Sequence, residues 1–232
     1  MEIKKNHFIN SSKEKYCQLC GKSIEPNRIN HKYIIKDLGE IFNLEKGIFF
    51  TLKKVLMNPG SVIKEYLYRN RQIITKPFAF FIFCLAVKLL FENWFNENNN
   101  LENIHPDLYY FLINNPLINY IFFLFFVSLW LKLFFRSSGL NIYEIIVLSC
   151  YTLGMIFLID SFTYPIDYLV KVDNKILDDL PALAYYIYAI GSFFKTEKFL
   201  KYPKALIVFY LGAFSYGIIM VGVEFLIKAL NT

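Results

Sequence analysis

The stretch PFAFFIFCLAVKLLFENW, residues 77–94, contains only two charged side chains, Lys88 and Glu92. The hydrocarbon core of a bilayer is about 30 Å thick and needs about 20 mostly apolar residues of α-helix. Similar stretches follow at 117–135, 142–160, 181–194 and 205–226. Because 181–194 is the shortest of these stretches, it either crosses the bilayer or dips in and returns. The predicted fold class is an all-α membrane protein with a bundle of five, or else four, transmembrane helices.

Composition supports this class. The 232-residue chain is 56% hydrophobic and contains 25 Phe and 17 Tyr. Soluble domains have about 45–50% apolar residues. The predicted organisation is a cysteine-containing head over 1–32, amphipathic helices over 33–76 and the helix bundle over 77–230.

Loop charges predict the orientation of the spans, because short cytoplasmic loops are enriched in Lys and Arg. Loop 95–116 contains three acids and no Lys or Arg, which predicts an external loop. Loop 195–204 contains four lysines and one glutamate, which predicts a cytoplasmic loop. A segment 181–194 that dipped and returned would put those lysines on the wrong side. We therefore expect a multi-pass protein of the bacterial inner membrane with a cytoplasmic N-terminus, five spans and an external C-terminus.

The segment 1–76 is basic, with 15 Lys and Arg against seven Asp and Glu, a net charge of +8. Its beginning, 1–30, lacks the apolar core of a signal peptide, so we expect the segment to stay in the cytoplasm. Helical spacing forms an apolar stripe of Phe49, Leu52, Val55 and Leu56. Asn58-Pro59-Gly60 then breaks the pattern, and Ser61 is the predicted cap of the next helix.

We expect these amphipathic helices to lie along the inner face of the membrane and to bind anionic headgroups. Cations interleaved with aromatic residues can also bind nucleic acid, which is the weaker of the two interpretations. The predicted contact residues are Lys53, Lys54, Lys64, Arg69 and Arg71.

The pair Cys17 and Cys20, in CQLCG, supplies half of a tetrahedral zinc site. His7 and His31 are the nearest candidates for the other two ligands. The remaining ligands could instead come from a second subunit, or the pair could hold a turn without metal. Zinc is therefore the one cofactor that the sequence suggests.

Polar residues within the spans are a further set of candidates. A charged residue in a span indicates a functional site by default, although Lys88 could equally reach the outer interface and contact Glu92. Hydroxyl groups at mid-depth either line a water path or bond a neighbouring helix, and small residues favour close helix packing within the chain or in a homo-oligomer. The residues are Glu224, the hydroxyl belt Ser149, Tyr151 and Thr152, and the small residues Gly212, Ala213, Gly217 and Gly222.

The order of the sequence motifs is similar to that of a known protein family. CxxCG is followed by EKGIFFTLKKVLMNPGSVIKEYLYRNRQIITKPFAFF, residues 45–81. This resembles an uncharacterised family of small bacterial membrane proteins with a zinc-knuckle-like head, a "T…L…PG…YL.G.R" segment and several spans. The similarity covers about residues 16–91. Here only half of the paired cysteine head is present, and the glycine before the arginine is replaced within YRNR. The resemblance implies a topology and no activity.

The chain contains no GxSxG, no HExxH and no phosphate-binding glycine loop. We therefore expect a non-enzymatic membrane protein whose cytoplasmic head recruits or responds to a protein partner. The alternative is an oligomeric channel or pore-forming protein. In layout the chain resembles the membrane accessory proteins of RNA-targeting CRISPR defence systems, an analogy of architecture alone.

Overall fold

The computed structural model describes residues 28–39, 47–95, 115–165, 175–194 and 200–230. Within these ranges every regular element is a helix and there is no strand. The helices are α1 (His31–Gly39), α2 (Ile48–Met57), α3 (Pro59–Tyr68), α4 (Pro77–Phe95), α5 (Pro116–Phe134), α6 (Ile142–Ser161), α7 (Lys175–Phe193) and α8 (Lys201–Leu230), with a short 3-10 turn at Arg136–Ser138. The head containing Cys17 and Cys20 lies outside the described residues.

Four of the described helices, α4, α5, α6 and α8, are long and apolar enough to cross a membrane. This confirms the predicted class of membrane protein. The segment predicted as a short span, 181–194, belongs to a longer helix than expected. α7 has 19 residues because it begins at Lys175, before Pro181, and a helix of that length extends about 28 Å.

The long helices alternate in direction. α4 runs parallel to α6, since Phe80 contacts Tyr151 and Phe81 contacts Phe157 further along both helices. α5 runs antiparallel to α6, with Tyr120 against Phe157.

α7 runs antiparallel to α8. Tyr186 packs on Phe209, and a Cβ on Gly191 would touch the ring of Tyr202. α7 therefore passes along the bundle instead of turning back, and the five long helices follow an up-down-up-down-up order.

α6 is the central helix, and most of its side chains are buried. It packs against α4, α5 and α7. Gly154 allows α4 to come close, because a Cβ there would lie 3.0 Å from the ring of Phe80. The helix begins with a capping box, in which Asn141 accepts from the Glu144 N–H and Glu144 accepts from the Asn141 N–H.

α2 and α3 form a tight helical hairpin against α6 and α7. The predicted break at Asn58 is confirmed, but the predicted cap is wrong. α3 begins at Pro59, so Ser61 lies in its first turn and donates to the carbonyl of Asn58. The apolar stripe predicted for α2 is divided between two sides of the helix, because Val55 is buried together with Thr51, whereas Phe49 and Leu56 are exposed. Thr51 is buried because it has a polar partner, which periodicity alone does not reveal.

Candidate functional site

Hydrogen bonds attach the hairpin to α7. Tyr185 Oη donates to the carbonyl of Val55 and Tyr188 Oη donates to the carbonyl of Met57, both at 2.9 Å. These carbonyls belong to the last turn of α2, where a helix has no partners of its own. The Gly60 N–H donates to Ser192 Oγ at 3.0 Å. A Cβ on Gly60 would lie 2.4 Å from the backbone of Ser192, so only glycine fits here.

A network of buried hydrogen bonds joins the hairpin to α6 and to the segment just before α4. Thr51 Oγ1 lies 3.0 Å from Thr75 Oγ1 and accepts from the Thr75 N–H at 2.9 Å. Tyr151 Oη donates to the carbonyl of Thr75 at 2.6 Å, and its ring packs edge-on against Tyr66. Because buried polar groups are costly unless they are paired, this network fixes where the hairpin enters the first span.

The other two residues of the predicted hydroxyl belt lie next to this network and are fully buried. Ser149 Oγ accepts from Ser128 Oγ of α5 at 2.9 Å. Thr152 Oγ1 donates to the carbonyl of Leu148 at 3.0 Å. In this structure their hydroxyls bond a neighbouring helix and their own backbone.

Arg28 clamps the N-terminal segment to the start of α6. Its guanidinium donates to both carboxylate oxygens of Glu144, at 3.0 and 2.8 Å, and to the carbonyl of Gly139 at 2.7 Å. Beside it, Asn141 Nδ2 donates to the carbonyl of Ile29 at 2.8 Å, and the Ile29 side chain is buried. Gly139 has φ 71°, a left-handed conformation that glycine adopts readily. The hydrogen bond and charge of Glu144 raise the pKa of Arg28.

α1 continues this contact onto the hairpin. Tyr33 Oη lies 2.7 Å from Tyr66 Oη, and the Arg71 guanidinium lies 4.5 Å from the centroid of the Tyr33 ring. Nearby, burial raises the pKa of the Tyr68 phenol. We call the contacts of Arg28, Tyr33 and the hairpin with α6 and α7 the N-terminal clamp.

His31 is the first residue of α1 and is exposed. Its proposed co-ligands His7, Cys17 and Cys20 lie outside the described residues. Within the described ranges no group of three or more His, Cys, Asp or Glu could hold a metal ion.

The second polar site lies between α4 and α6, at the end of the bundle opposite the clamp. Lys88 Nζ lies 2.6 Å from Asp160 Oδ2, and only 9% of Lys88 is exposed. The ammonium also lies 5.4 Å from the ring centroid of Phe157 and 5.7 Å from that of Tyr120. The sequence interpretation paired Lys88 with Glu92, but the structure pairs it with Asp160, which had not been singled out. Asp160 is an acidic residue at the end of the predicted span 142–160, and this position is the sequence feature that could have identified it as the partner of Lys88.

The small residues of α8 divide into two groups. A Cβ on Gly212 would lie 2.7 Å from Val127 Cγ2, so this glycine permits close packing on α5. At Gly217 and Gly222, an added methyl group would have no neighbour within 4 Å among the described residues. Together with Ala213 they line an apolar groove of about 1070 Å³ along α8. The Glu224 side chain lies outside those that the structure describes.

The predicted basic contact residues all lie on the hairpin or just after it. Lys53 and Arg69 are exposed. The Lys54 ammonium lies 4.6 Å from the centroid of Phe50, and that of Lys64 lies 5.2 Å from the centroid of Phe193.

These features define an all-helical membrane protein with a helical hairpin attached before its first span. A protein-family model described as "Protein of unknown function (DUF3667)" matches residues 45–88. The match begins after the cysteine pair and covers α2, α3 and α4 as far as Lys88. It is consistent with the resemblance to an uncharacterised family. No curated protein and no solved structure matches the chain.

Proposed function

We propose that this is a non-enzymatic protein of the bacterial inner membrane whose cytoplasmic segment before α4 recruits or responds to a protein partner. The observation that carries the proposal is the N-terminal clamp. Arg28, at the end of the head, binds Glu144 of the central helix at 2.8 Å. A partner that displaced the head would therefore act directly on α6.

The charge distribution supports the orientation. Most of the described cations lie at the clamp end of the bundle, together with Glu144, whereas Lys88 lies toward the other end with Glu92 and Asp160. Cytoplasmic loops are enriched in Lys and Arg, which favours a cytoplasmic clamp and, with five alternating helices, an external C-terminus. The cations at the clamp end include Arg28, Lys32, Lys53, Lys54, Lys64, Arg69, Arg71, Lys76, Lys132, Arg136, Lys201 and Lys204.

Within this proposal the head over residues 1–32 is the partner-binding element, and Cys17 and Cys20 hold zinc with His7 and His31 or with a second subunit. Loss of the metal would then loosen the segment that ends at Arg28.

Site-specific photocrosslinking in cells tests the proposal. A photoreactive amino acid at Tyr68, at the clamp end, should yield one defined protein adduct, identified by mass spectrometry. The same probe at Trp94, which is 80% exposed at the other end, is the matched control and should not yield that adduct. Cys17→Ser/Cys20→Ser should abolish the adduct, and Ser11→Ala/Ser12→Ala in the same head should preserve it. Adducts with lipid or with this chain alone would contradict recruitment.

The alternative, a pore-forming accessory protein of a defence system, is favoured by one observation. The groove of α8 leaves Gly217 and Gly222 open to a second helix, whereas the centre of a single copy is filled by α6. A pore would therefore require several copies. Reconstituted protein should then conduct ions only as an oligomer, and vesicles that stay tight at every protein density would contradict it.

A further inference from the structure

α2 presents an apolar face on the side opposite its attachment to the bundle. Thr51 and Val55 point inward and are fully buried. The side chains on the other side are exposed and span about a third of the helix circumference, as expected from a spacing of 3.6 residues per turn. We call them the α2 outer face: Phe49 (79% exposed), Phe50, Lys53, Leu56 and Met57 (59% exposed).

This face continues the lateral surface of the helix bundle. The Met57 carbonyl accepts a hydrogen bond from Tyr188 of α7, and Tyr188 is itself 45% exposed. An apolar cluster of this kind is unfavourable in water and indicates a membrane or protein contact.

Two lysines indicate that the α2 outer face contacts a membrane and not a protein. Lys53 lies in the middle of the outer face, and Lys54 lies at its edge with its ammonium over the ring of Phe50. A lysine can bury its aliphatic chain against apolar groups and extend its charge to the phosphate layer. Helices that lie in a bilayer interface combine these residue types in the same way.

We propose that the α2 outer face lies in the inner leaflet, with its aromatic and aliphatic side chains among the acyl chains and Lys53 and Lys54 on the phosphates of anionic phospholipids. This rests on the orientation given in the proposed function. The sequence predicts lipid contact for the whole amphipathic segment, and the contact proposed here lies on one face of α2.

Charge favours lipid over a second copy of this chain. α2, IFFTLKKVLM, contains no acidic residue. A two-fold symmetric contact joins the same patch of both subunits, so it would bring Lys53 and Lys54 of one copy toward the same lysines of the other. Anionic headgroups would instead neutralise the charges of Lys53 and Lys54.

The test uses the full chain in nanodiscs, with Cys17→Ser/Cys20→Ser and an environment-sensitive fluorophore on Phe49→Cys. Lipids with brominated acyl chains should quench this fluorophore and shift its emission to the blue. The matched control is Tyr68→Cys on α3, 48% exposed and outside the outer face, which should keep a water-like emission.

The anionic preference is measured by titrating brominated phosphatidylglycerol into phosphatidylcholine. Each of Lys53→Gln and Lys54→Gln should raise the half-saturating mole fraction about fivefold. Arg136→Gln, an exposed cation at the same end, should leave it unchanged. Equal, water-like emission from both labelled positions would overturn the proposal, as would protection of Phe49→Cys only in discs with two copies. If quenching persists but the photoreactive probe at Tyr68, in the chain that keeps Cys17 and Cys20, crosslinks no partner, the recruitment proposal fails and this one stands.

Discussion

Gly60 shows how a single residue determines the position of the hairpin. A methyl group there would meet backbone atoms of Ser192 at 2.4 Å, and backbone cannot rotate aside as a side chain can. We expect Gly60→Ala to lower the free energy of unfolding by about 1–3 kcal/mol, the usual cost of overpacking. Gly217→Ala is the matched control, because no described atom lies within 4 Å of its added methyl group. Steric trapping in bicelles measures both, and equal effects would show that the Gly60 contact is not made.

The Lys88–Asp160 pair is the strongest candidate for a polar interaction inside the bundle. Its side chains are only 11% and 20% exposed. Removing one partner leaves a charge without compensation, which costs about 3–5 kcal/mol for buried pairs. We therefore expect Lys88→Met alone to be strongly destabilising.

The double variant Lys88→Met/Asp160→Leu provides the control, because it removes both charges and keeps similar volumes. It should regain most of the lost stability, and a double-mutant cycle measures the coupling. Additive effects of the two single variants would mean that the residues do not interact.

The sequence indicated part of this site. Lys88 was identifiable as a charge inside a span, but Asp160 follows 72 residues later and is brought to it only by the packing of α4 on α6. Similarly, Gly212 and Gly217 were both predicted to pack against a helix, and only Gly212 does so among the described residues. A glycine in the sequence shows that a second helix can approach closely at that position. Which face of α8 packs on a neighbouring helix depends on the tertiary arrangement, which the residue type does not reveal.

Among the helices, the α2–α3 hairpin was predictable as a pair of elements because Asn58, Pro59 and Gly60 interrupt a helical pattern. Its attachment was not predictable. Thr51 is buried because it bonds Thr75, whereas Phe49 of the predicted apolar stripe is exposed. The sequence predicts a shorter α7 because Asp178, Asp179 and Pro181 resemble loop residues, but the helix continues through Pro181, which lacks the N–H for one backbone hydrogen bond.

The N-terminal clamp predicts a local response to Arg28→Gln. We expect amide hydrogen exchange to increase in residues 28–39, because the bonds to Glu144 and Gly139 are lost. Lys32→Gln, an exposed cation of α1, should have little effect.

The clamp should also be insensitive to alkali. The pKa of Arg28 is raised in the folded protein. Its contribution to stability is therefore complete below the pKa that Arg28 has in the unfolded chain, and it is lost only as the pH rises through the pKa in the folded protein. Exchange protection, corrected for intrinsic rates, should therefore be the same from about pH 6 to about pH 9. A loss of protection within that range would show that another group controls the clamp.

For the whole molecule, the alternating helix directions predict an external C-terminus. Reporter fusions after Gly139 and Lys201 should be active on the cytoplasmic side, and fusions after Asn100 and Thr232 on the external side. A cytoplasmic Thr232 reporter would mean that α7 does not cross the membrane.

The Lys88–Asp160 pair also has a consequence for biosynthesis. Lys88 leaves the ribosome 72 residues before its partner, a delay of about 4–14 s at 5–20 residues per second. During that time α4 carries a charge that hydrocarbon disfavours. We expect α4 to remain beside the insertion machinery until α6 has been made, so that the first span to be translated is not the first to settle in the lipid.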